Sequence, residues 1–163
     1  MGYRNKTYII FDADSDIAQY RLMTAWKENE KIDFDFHDAH ELNNLTSSAS
    51  EEQIKRKLRE RLVNTKQAIV LVGESTKNLH KFVRWEIEVA IDMDLPIVAV
   101  NLDKQNGGTD KTPPILNKNA YFVSVPYEIK KIKYALDYFP EYYHKNKNKG
   151  PASLQYDWSK ITL

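Results

Sequence analysis

Three acidic side chains alternate directly after a short apolar segment near the start of the chain. Asp12, Asp14 and Asp16 follow the apolar run at residues 8–11. Carboxylates at the end of a buried strand could act as general acids or bases, bind Mg²⁺, or accept hydrogen bonds from sugar hydroxyls. Asp14 or Ser15 could also cap a helix that begins after this turn. This turn is the first candidate site.

A second candidate is an aromatic residue and an acid in a later segment. Glu86 lies four residues after Phe82, with Trp85 between them. Residues four apart share one face of a helix, so the Phe82 ring and the Glu86 carboxylate could contact the same ligand. On spacing alone, Glu86 could equally be an exposed acid paired with Arg84, and Trp85 could pack against the sheet.

The composition excludes several classes of protein. The chain has 163 residues and no cysteine, which leaves out thiol catalysis, disulfides and cysteine-ligated metals. Lys and Arg number 24 against 23 Asp and Glu, so the net charge of +1 argues against a dedicated nucleic-acid binder. No apolar run approaches the roughly 18 to 20 residues of a membrane span. We therefore expect one cytoplasmic domain, with no membrane partner.

Strands and helices are predicted to alternate along the chain. Five apolar or alternating segments predict strands at residues 8–11, 33–37, 67–72, 96–102 and 120–125. Helices are predicted at residues 17–30, 54–62, 82–94 and 127–139. Ser50 and Gln53 match a capping box in front of the second helix.

This alternation predicts an α/β fold with a parallel sheet covered on both faces. Five strands indicate a flavodoxin-like three-layer sandwich, with strand order 2-1-3-4-5. We expect residues 1–140 to form this domain and residues 141–163 to be a polar C-terminal extension. Ligands of such sheets bind outside the carboxyl ends of the strands, here between the first and third strands. No glycine-rich phosphate loop is present, so a nucleotide would be held by its sugar and base.

The predicted crevice brings together residues from three loops. The first loop supplies the three aspartates after the first strand, and the third supplies residues 75–86. His37 and Asp38 come from the second loop, and His37 is expected to be structural. Acidic side chains therefore dominate this edge of the sheet.

Several segments resemble one family. These are residues 70–76 (VLVGEST), 81–87 (KFVRWEI), 36–39 (FHDA) and 96–100 (PIVAV). They resemble the TIR superfamily and, within it, the TIR-like proteins of the bacterial Thoeris antiphage system. In TIR enzymes an aromatic residue, usually Trp, precedes a glutamate by four positions on the helix after the third strand. Phe82 and Glu86 occupy those positions here.

The resemblance implies that the chain cleaves the nicotinamide–ribose bond of NAD⁺ and makes a linear, cyclic or conjugated ADP-ribose signal. Glu86 would be the catalytic anion. NAD⁺ would be the substrate, with no further cofactor and no metal. A separate effector protein would sense the product, and self-assembly on activation is possible. The implied substrate contacts are Phe11, Asp12, Asp14, Asp38, Ser75 and Phe82.

Three other interpretations stay open. A TIR-like scaffold could bind partners while cleaving nothing. Asp12 and Asp14 also match the first motif of haloacid dehalogenase-type phosphatases, in which one Asp attacks phosphorus beside Mg²⁺. A phosphoreceiver domain shares the topology, but it needs an Asp at the end of the third strand, where Val72 and Gly73 stand.

Overall fold

A parallel five-stranded sheet forms the centre of the molecule. The computed structural model describes residues 7–29, 50–79 and 81–163. Within them the strands, in their spatial order, are β1 (Thr7–Ile10), β2 (Gln67–Val72), β3 (Ile97–Asn101), β4 (Tyr121–Pro126) and β5 (Ala152–Leu154). Every neighbouring pair is parallel. The residues of β2 are all buried, as a continuous apolar run requires when both faces of a sheet are covered.

Helices cover both faces of this sheet. They are α1 (Ile17–Glu28), α2 (Glu51–Leu62), α3 (Phe82–Asp92), α4 (Pro114–Asn119) and α5 (Ile129–Asn146). One apolar cluster joins α1 and α5 to one face, and a second joins α2, α3 and α4 to the other. Alternate residues of β1 divide between the clusters, because successive side chains of a strand point to opposite faces.

The predicted fold class is confirmed, but the edges of the sheet differ from the expected order. The predicted strand at 33–37 lies outside the described residues. The other four predicted strands are β1 to β4 and adjoin one another as expected. A strand that was not predicted, β5, pairs with β4 through Tyr121 and Ala152. Its three residues are too few for any periodic signal, so only tertiary pairing identifies it.

The last helix also extends past its predicted end at residue 139. It continues to Asn146 and so crosses residue 140 without a break. Beyond it, Tyr156 and Trp158 pack edge-on against Tyr134 of α5. The Lys- and Asn-rich composition of residues 142–149 obscured this helix, because its inward apolar positions are few.

Two helix starts were predicted from side-chain chemistry, with different outcomes. The capping box before α2 is confirmed: Ser50 Oγ accepts from the Gln53 amide at 3.2 Å, and Gln53 Oε1 accepts from the Ser50 amide at 2.9 Å. The expected cap on α1 is wrong. Its N-cap residue is Asp16, which makes no side-chain capping bond. Asp12 instead closes the turn, since its Oδ1 accepts from the Asp14 amide at 3.0 Å.

Candidate active site

Glu86 is a buried acid between α3 and the sheet. Its side chain is only 3% exposed. Tyr8, on the face of β1 that α3 covers, donates a hydrogen bond from its hydroxyl to Glu86 Oε2 at 2.5 Å. The periodicity of α3 explains the placement, because Val83, Ile87 and Ala90 on the same inward stripe are also buried.

Burial changes the acidity of Glu86. Loss of solvation, offset in part by the hydrogen bond from Tyr8, raises the pKa of its carboxyl to about 8. At neutral pH the group is therefore mostly a neutral carboxylic acid in this conformation. The sequence predicts that Glu86 can contact a ligand together with Phe82, but Glu86 lines neither of the two cavities described below.

Phe82 and Glu86 differ sharply in exposure although they are four residues apart. Phe82 is 45% exposed at the first position of α3, and its ring meets Trp85 edge-on at 5.6 Å. Phe82 is the first residue of α3, at its N-terminal end. Glu86 lies one turn further along, on the face of the helix that packs against the sheet. The aromatic ring therefore remains accessible to a ligand, and the carboxyl does not.

Phe11 and Asp12 are held by the fold at the end of β1. Phe11 is buried and stacks on Tyr20 of α1, with ring centroids 4.4 Å apart. Asp12 is also buried, and its Oδ1 accepts from the Asp14 and Ser15 amides. Both residues therefore have structural roles in this conformation, which leaves Asp14 as an exposed carboxylate of the first loop.

The loop after β2 places Ser75 next to a rigid turn. Thr76 is buried; its Oγ1 accepts from the Gly73 amide at 2.9 Å and donates to the Leu71 carbonyl at 3.3 Å. Ser75 precedes this 3₁₀ turn and is half-buried. The remaining predicted contact, Asp38, lies outside the described residues, as does His37.

A cavity of about 210 Å³ lies at the carboxyl ends of β2 and β3, next to the predicted crevice between β1 and β2. Asp16, the N-cap residue of α1, and Gln19 of α1 line one side, and Glu74, Asp103 and Lys111 line the other. Lys111 donates to Glu74 Oε1 at 2.6 Å and to Asp103 Oδ2 at 3.1 Å. A second cavity, of about 70 Å³, lies between α3 and α4.

Asp16 is the buried acid of the larger cavity. Its side chain is 6% exposed. Burial, and after it the charges of Asp12 and Glu74, together raise the pKa of its carboxyl to about 6. The carboxyl can lie here because Gly73 has no side chain. A Cβ at that residue would lie 2.5 Å from Asp16 Oδ2.

Sequence reasoning missed Tyr8 beside Glu86 and, at the larger cavity, Gln19, Glu74, Asp103 and Lys111. Tyr8 belongs to the apolar run of β1 and was interpreted only as part of a buried strand, although a buried tyrosine hydroxyl requires a partner. Lys111 lies in the loop after β3, where charged residues are common and their pairing has no sequence signal. Tyr8 is 78 residues from Glu86, and Lys111 is 37 residues from Glu74 and eight from Asp103.

The fold and the site together define a class of protein. An open parallel sheet with helices on both faces is a three-layer α/β domain, and here a buried glutamate lies on the helix after β2. The family model for the Thoeris protein ThsB, TIR-like domain, matches residues 8–107, more than half of the chain. The chain therefore belongs to this family, among the TIR-type proteins of antiphage defence. No curated protein matches the chain.

The match confirms the resemblance to Thoeris TIR-like proteins, and it favours that interpretation over the phosphatase and phosphoreceiver alternatives. Among the helices that the structure describes, none combines the length and the apolar character needed to cross a membrane.

Proposed function

We propose that the chain cleaves the nicotinamide–ribose bond of NAD⁺ and forms a linear, cyclic or conjugated ADP-ribose signal in antiphage defence. The observation that carries this proposal is the environment of Glu86. It is a buried acid with a strongly raised pKa, inside the segment that the family model matches. Titratable groups with such shifts concentrate at functional sites.

The chemistry requires little more than one well-placed anion. Nicotinamide departs as a neutral molecule, so no general acid is needed. The ribose carbon develops oxocarbenium character as the bond breaks, and a carboxylate beside it stabilises that charge most strongly where water is excluded. Glu86 has this water-excluded environment. Phe82 and Asp14, both exposed, are the proposed contacts for the ring and the ribose hydroxyls.

Substrate binding would itself ionise the glutamate. The nicotinamide ring of NAD⁺ carries a positive charge, and a cation within a few ångströms lowers the pKa of a carboxyl. A ring that enters beside Glu86 would therefore counteract the desolvation that keeps it protonated. The site would hold a neutral acid at rest and an anion when occupied. The released ADP-ribose product would act on a separate effector protein.

A second candidate function is a non-catalytic TIR-like scaffold that recognises partner proteins. The observation that favours it is also at Glu86, which is 3% exposed and lines neither described cavity. A carboxyl that stays closed off would serve only the packing of α3 on β1. The two functions differ in one respect: only the enzyme must open this position to a ligand.

The test compares two isosteric substitutions on the same helix. Glu86→Gln removes the proposed anion, and Glu88→Gln is the matched control, since Glu88 pairs with Lys55 and Arg84 at the surface. Each protein is incubated with NAD⁺, with and without lysate from infected cells, and nicotinamide and adenine-containing products are followed by mass spectrometry. We expect Glu86→Gln to lose turnover by roughly 100-fold or more and Glu88→Gln to retain it.

Circular dichroism of both variants separates loss of chemistry from loss of fold. If Glu86→Gln is folded and inactive while Glu88→Gln turns over NAD⁺, the enzyme proposal is supported. If the wild-type protein releases no nicotinamide under either condition, or if Glu86→Gln is as active as wild type, the enzyme proposal fails and the scaffold replaces it.

A further inference from the structure

Two buried oxygen atoms at the larger cavity have no hydrogen-bond partner. Within the part of the chain that the structure describes, Asp16 Oδ2 and Gln19 Oε1 are both unpaired. Both residues line the cavity. Leaving a buried acceptor unpaired costs about 1–3 kcal/mol, so such atoms need an explanation. Rotation of the terminal Asp16 torsion exchanges its two oxygens, which lets either one face the cavity.

The charges around the cavity are unbalanced. Among the described residues that line it, Asp16, Glu74 and Asp103 supply three carboxylates, and Lys111 supplies one ammonium group. That ammonium is already shared between Glu74 and Asp103. The Lys111 ammonium therefore lies between two carboxylates, and among the described residues no cationic side chain pairs with Asp16.

We propose that this cavity binds an organic cation with N–H donors, an ammonium or guanidinium group, which donates hydrogen bonds to the Asp16 carboxylate and to Gln19 Oε1. Such a group completes both unpaired acceptors and balances the excess negative charge. Its hydrogen bonds are charge-assisted and about twice as strong as neutral ones. The cation would come either from a free small molecule or from an arginine or lysine side chain of another protein.

Other ligand classes fit the cavity less well. A phosphate-bearing nucleotide would meet a net excess of carboxylates. A neutral sugar would leave the charge of Asp16 unbalanced. For a metal ion, Lys111 occupies the space between Glu74 and Asp103, and no group of three or more His, Asp or Glu side chains among the described residues is arranged to hold one.

The cavity does not include Glu86, the proposed catalytic group, although Asp14, a proposed ribose contact, lies two residues before Asp16. Gln19 belongs to α1, which packs with α5 on one face of the sheet, whereas α3 and Glu86 lie on the other. Tyr127 fixes α1 here by donating to the Gln19 carbonyl at 2.7 Å. Failure of the cation site would therefore leave the proposed role of Glu86 untouched, and the reverse also holds.

The experiment is a calorimetric titration of the full chain with agmatine, which carries both a guanidinium and an ammonium group. Choline is the matched control, because it has a positive charge and no N–H donor. A second arm uses a blocked tripeptide, N-acetyl-Gly-Arg-Gly-amide, to represent a protein side chain. We expect a dissociation constant below about 10 mM for agmatine, and one roughly tenfold higher for choline.

Two variants test the residues. Asp16→Asn should weaken the binding of agmatine by at least about tenfold, and Gln19→Leu by about threefold, because each variant loses one hydrogen-bond acceptor. Glu60→Gln, an exposed charge on α2, is the charge-matched control and should change affinity less than about twofold. Gln19→Leu keeps the test valid if Asp16→Asn does not fold.

Each outcome decides for or against the site. Agmatine binding that depends on Asp16 supports it, and tighter binding of the tripeptide than of agmatine identifies a protein side chain as the source. The proposal is overturned if agmatine and the tripeptide both fail to bind, if choline binds equally well, if both site variants bind like wild type, or if Ca²⁺ or Mg²⁺ displaces agmatine from Asp16.

Discussion

Glu86 and Asp16 are both buried acids with raised pKa values, but their surroundings are opposite. Glu86 lies beneath α3, accepts a hydrogen bond from Tyr8 and has a pKa of about 8. Asp16 lies at the carboxyl edge of the sheet, has an unpaired oxygen and has a pKa of about 6. Desolvation dominates at Glu86, whereas neighbouring carboxylates add to desolvation at Asp16.

The difference shows what each position is suited to bind. A neutral acid with a satisfied oxygen is stable as it stands and becomes an anion only when a cation or solvent reaches it. An acid that is mostly ionised at pH 7 and lacks a partner lowers its free energy by binding a donor. The environment of Glu86 suits a reaction that begins only when a ligand reaches the carboxyl. The environment of Asp16 suits a site that is ready to bind a cation in the unliganded protein. Four substitutions test this contrast.

The largest expected effect is the pH dependence that Glu86 gives to stability. Its pKa in the folded state, about 8, exceeds the ordinary value of 4.5, so the folded state keeps the proton to a higher pH than the unfolded state does. Wild type should therefore lose stability as pH rises from about 5 to 8, whereas Glu86→Gln should lack this contribution and keep only the smaller one of Asp16. The difference in unfolding free energy should grow by up to about 1.4 kcal/mol per pH unit, measured by urea denaturation. A constant difference across this range would mean that Glu86 is ionised in the folded protein.

Tyr8→Phe removes the hydroxyl that donates to Glu86 Oε2. The buried carboxyl loses that bond, so we expect the unfolding free energy to fall by about 1–3 kcal/mol. Loss of the bond also raises the pKa of Glu86 further, because that bond lowers it. Urea denaturation at pH 6 measures the first effect, and the pH dependence of NAD⁺ turnover measures the second. An unchanged stability would show that the hydroxyl is satisfied elsewhere.

Gly73→Ala acts on Asp16 instead. The new Cβ would lie 2.5–2.6 Å from both carboxylate oxygens, so the side chain must turn into the cavity. We expect a cost of about 1–2 kcal/mol in thermal or urea denaturation and weaker agmatine binding. Stability and binding that both match wild type would place the carboxylate away from Gly73.

The smallest effect is expected from Asp16→Asn. Because the folded pKa of Asp16 is raised from 3.8 to about 6, its contribution to stability is complete below pH 4 and falls as pH rises to about 6. The whole shift would correspond to about 3 kcal/mol, and solvent at the open cavity reduces it, so the variant should be more stable than wild type by about 1 kcal/mol at pH 7 and equal to it near pH 4. A lower stability at pH 7 would indicate that the carboxylate has a stabilising partner.

Local chemistry predicted some elements well and others not at all. The capping box of α2 and the buried run of β2 depend on neighbouring residues, and both occur as expected. The cap on α1 was mispredicted because Asp14 and Asp12 are equally good hydrogen-bonding residues at the level of sequence. The choice of Glu86 came from a family pattern, whereas its hydrogen-bond donor, Tyr8, lies 78 residues away.

By itself the sequence determined the alternation of strands and helices and the acidic crevice at the carboxyl edge, because apolar periodicity and turn chemistry act over a few residues. Only the tertiary structure decided which acids are covered, which have partners and that β5 completes the sheet. Solvation and pairing depend on atoms brought together from distant parts of the chain, and they set whether a carboxyl is neutral or charged.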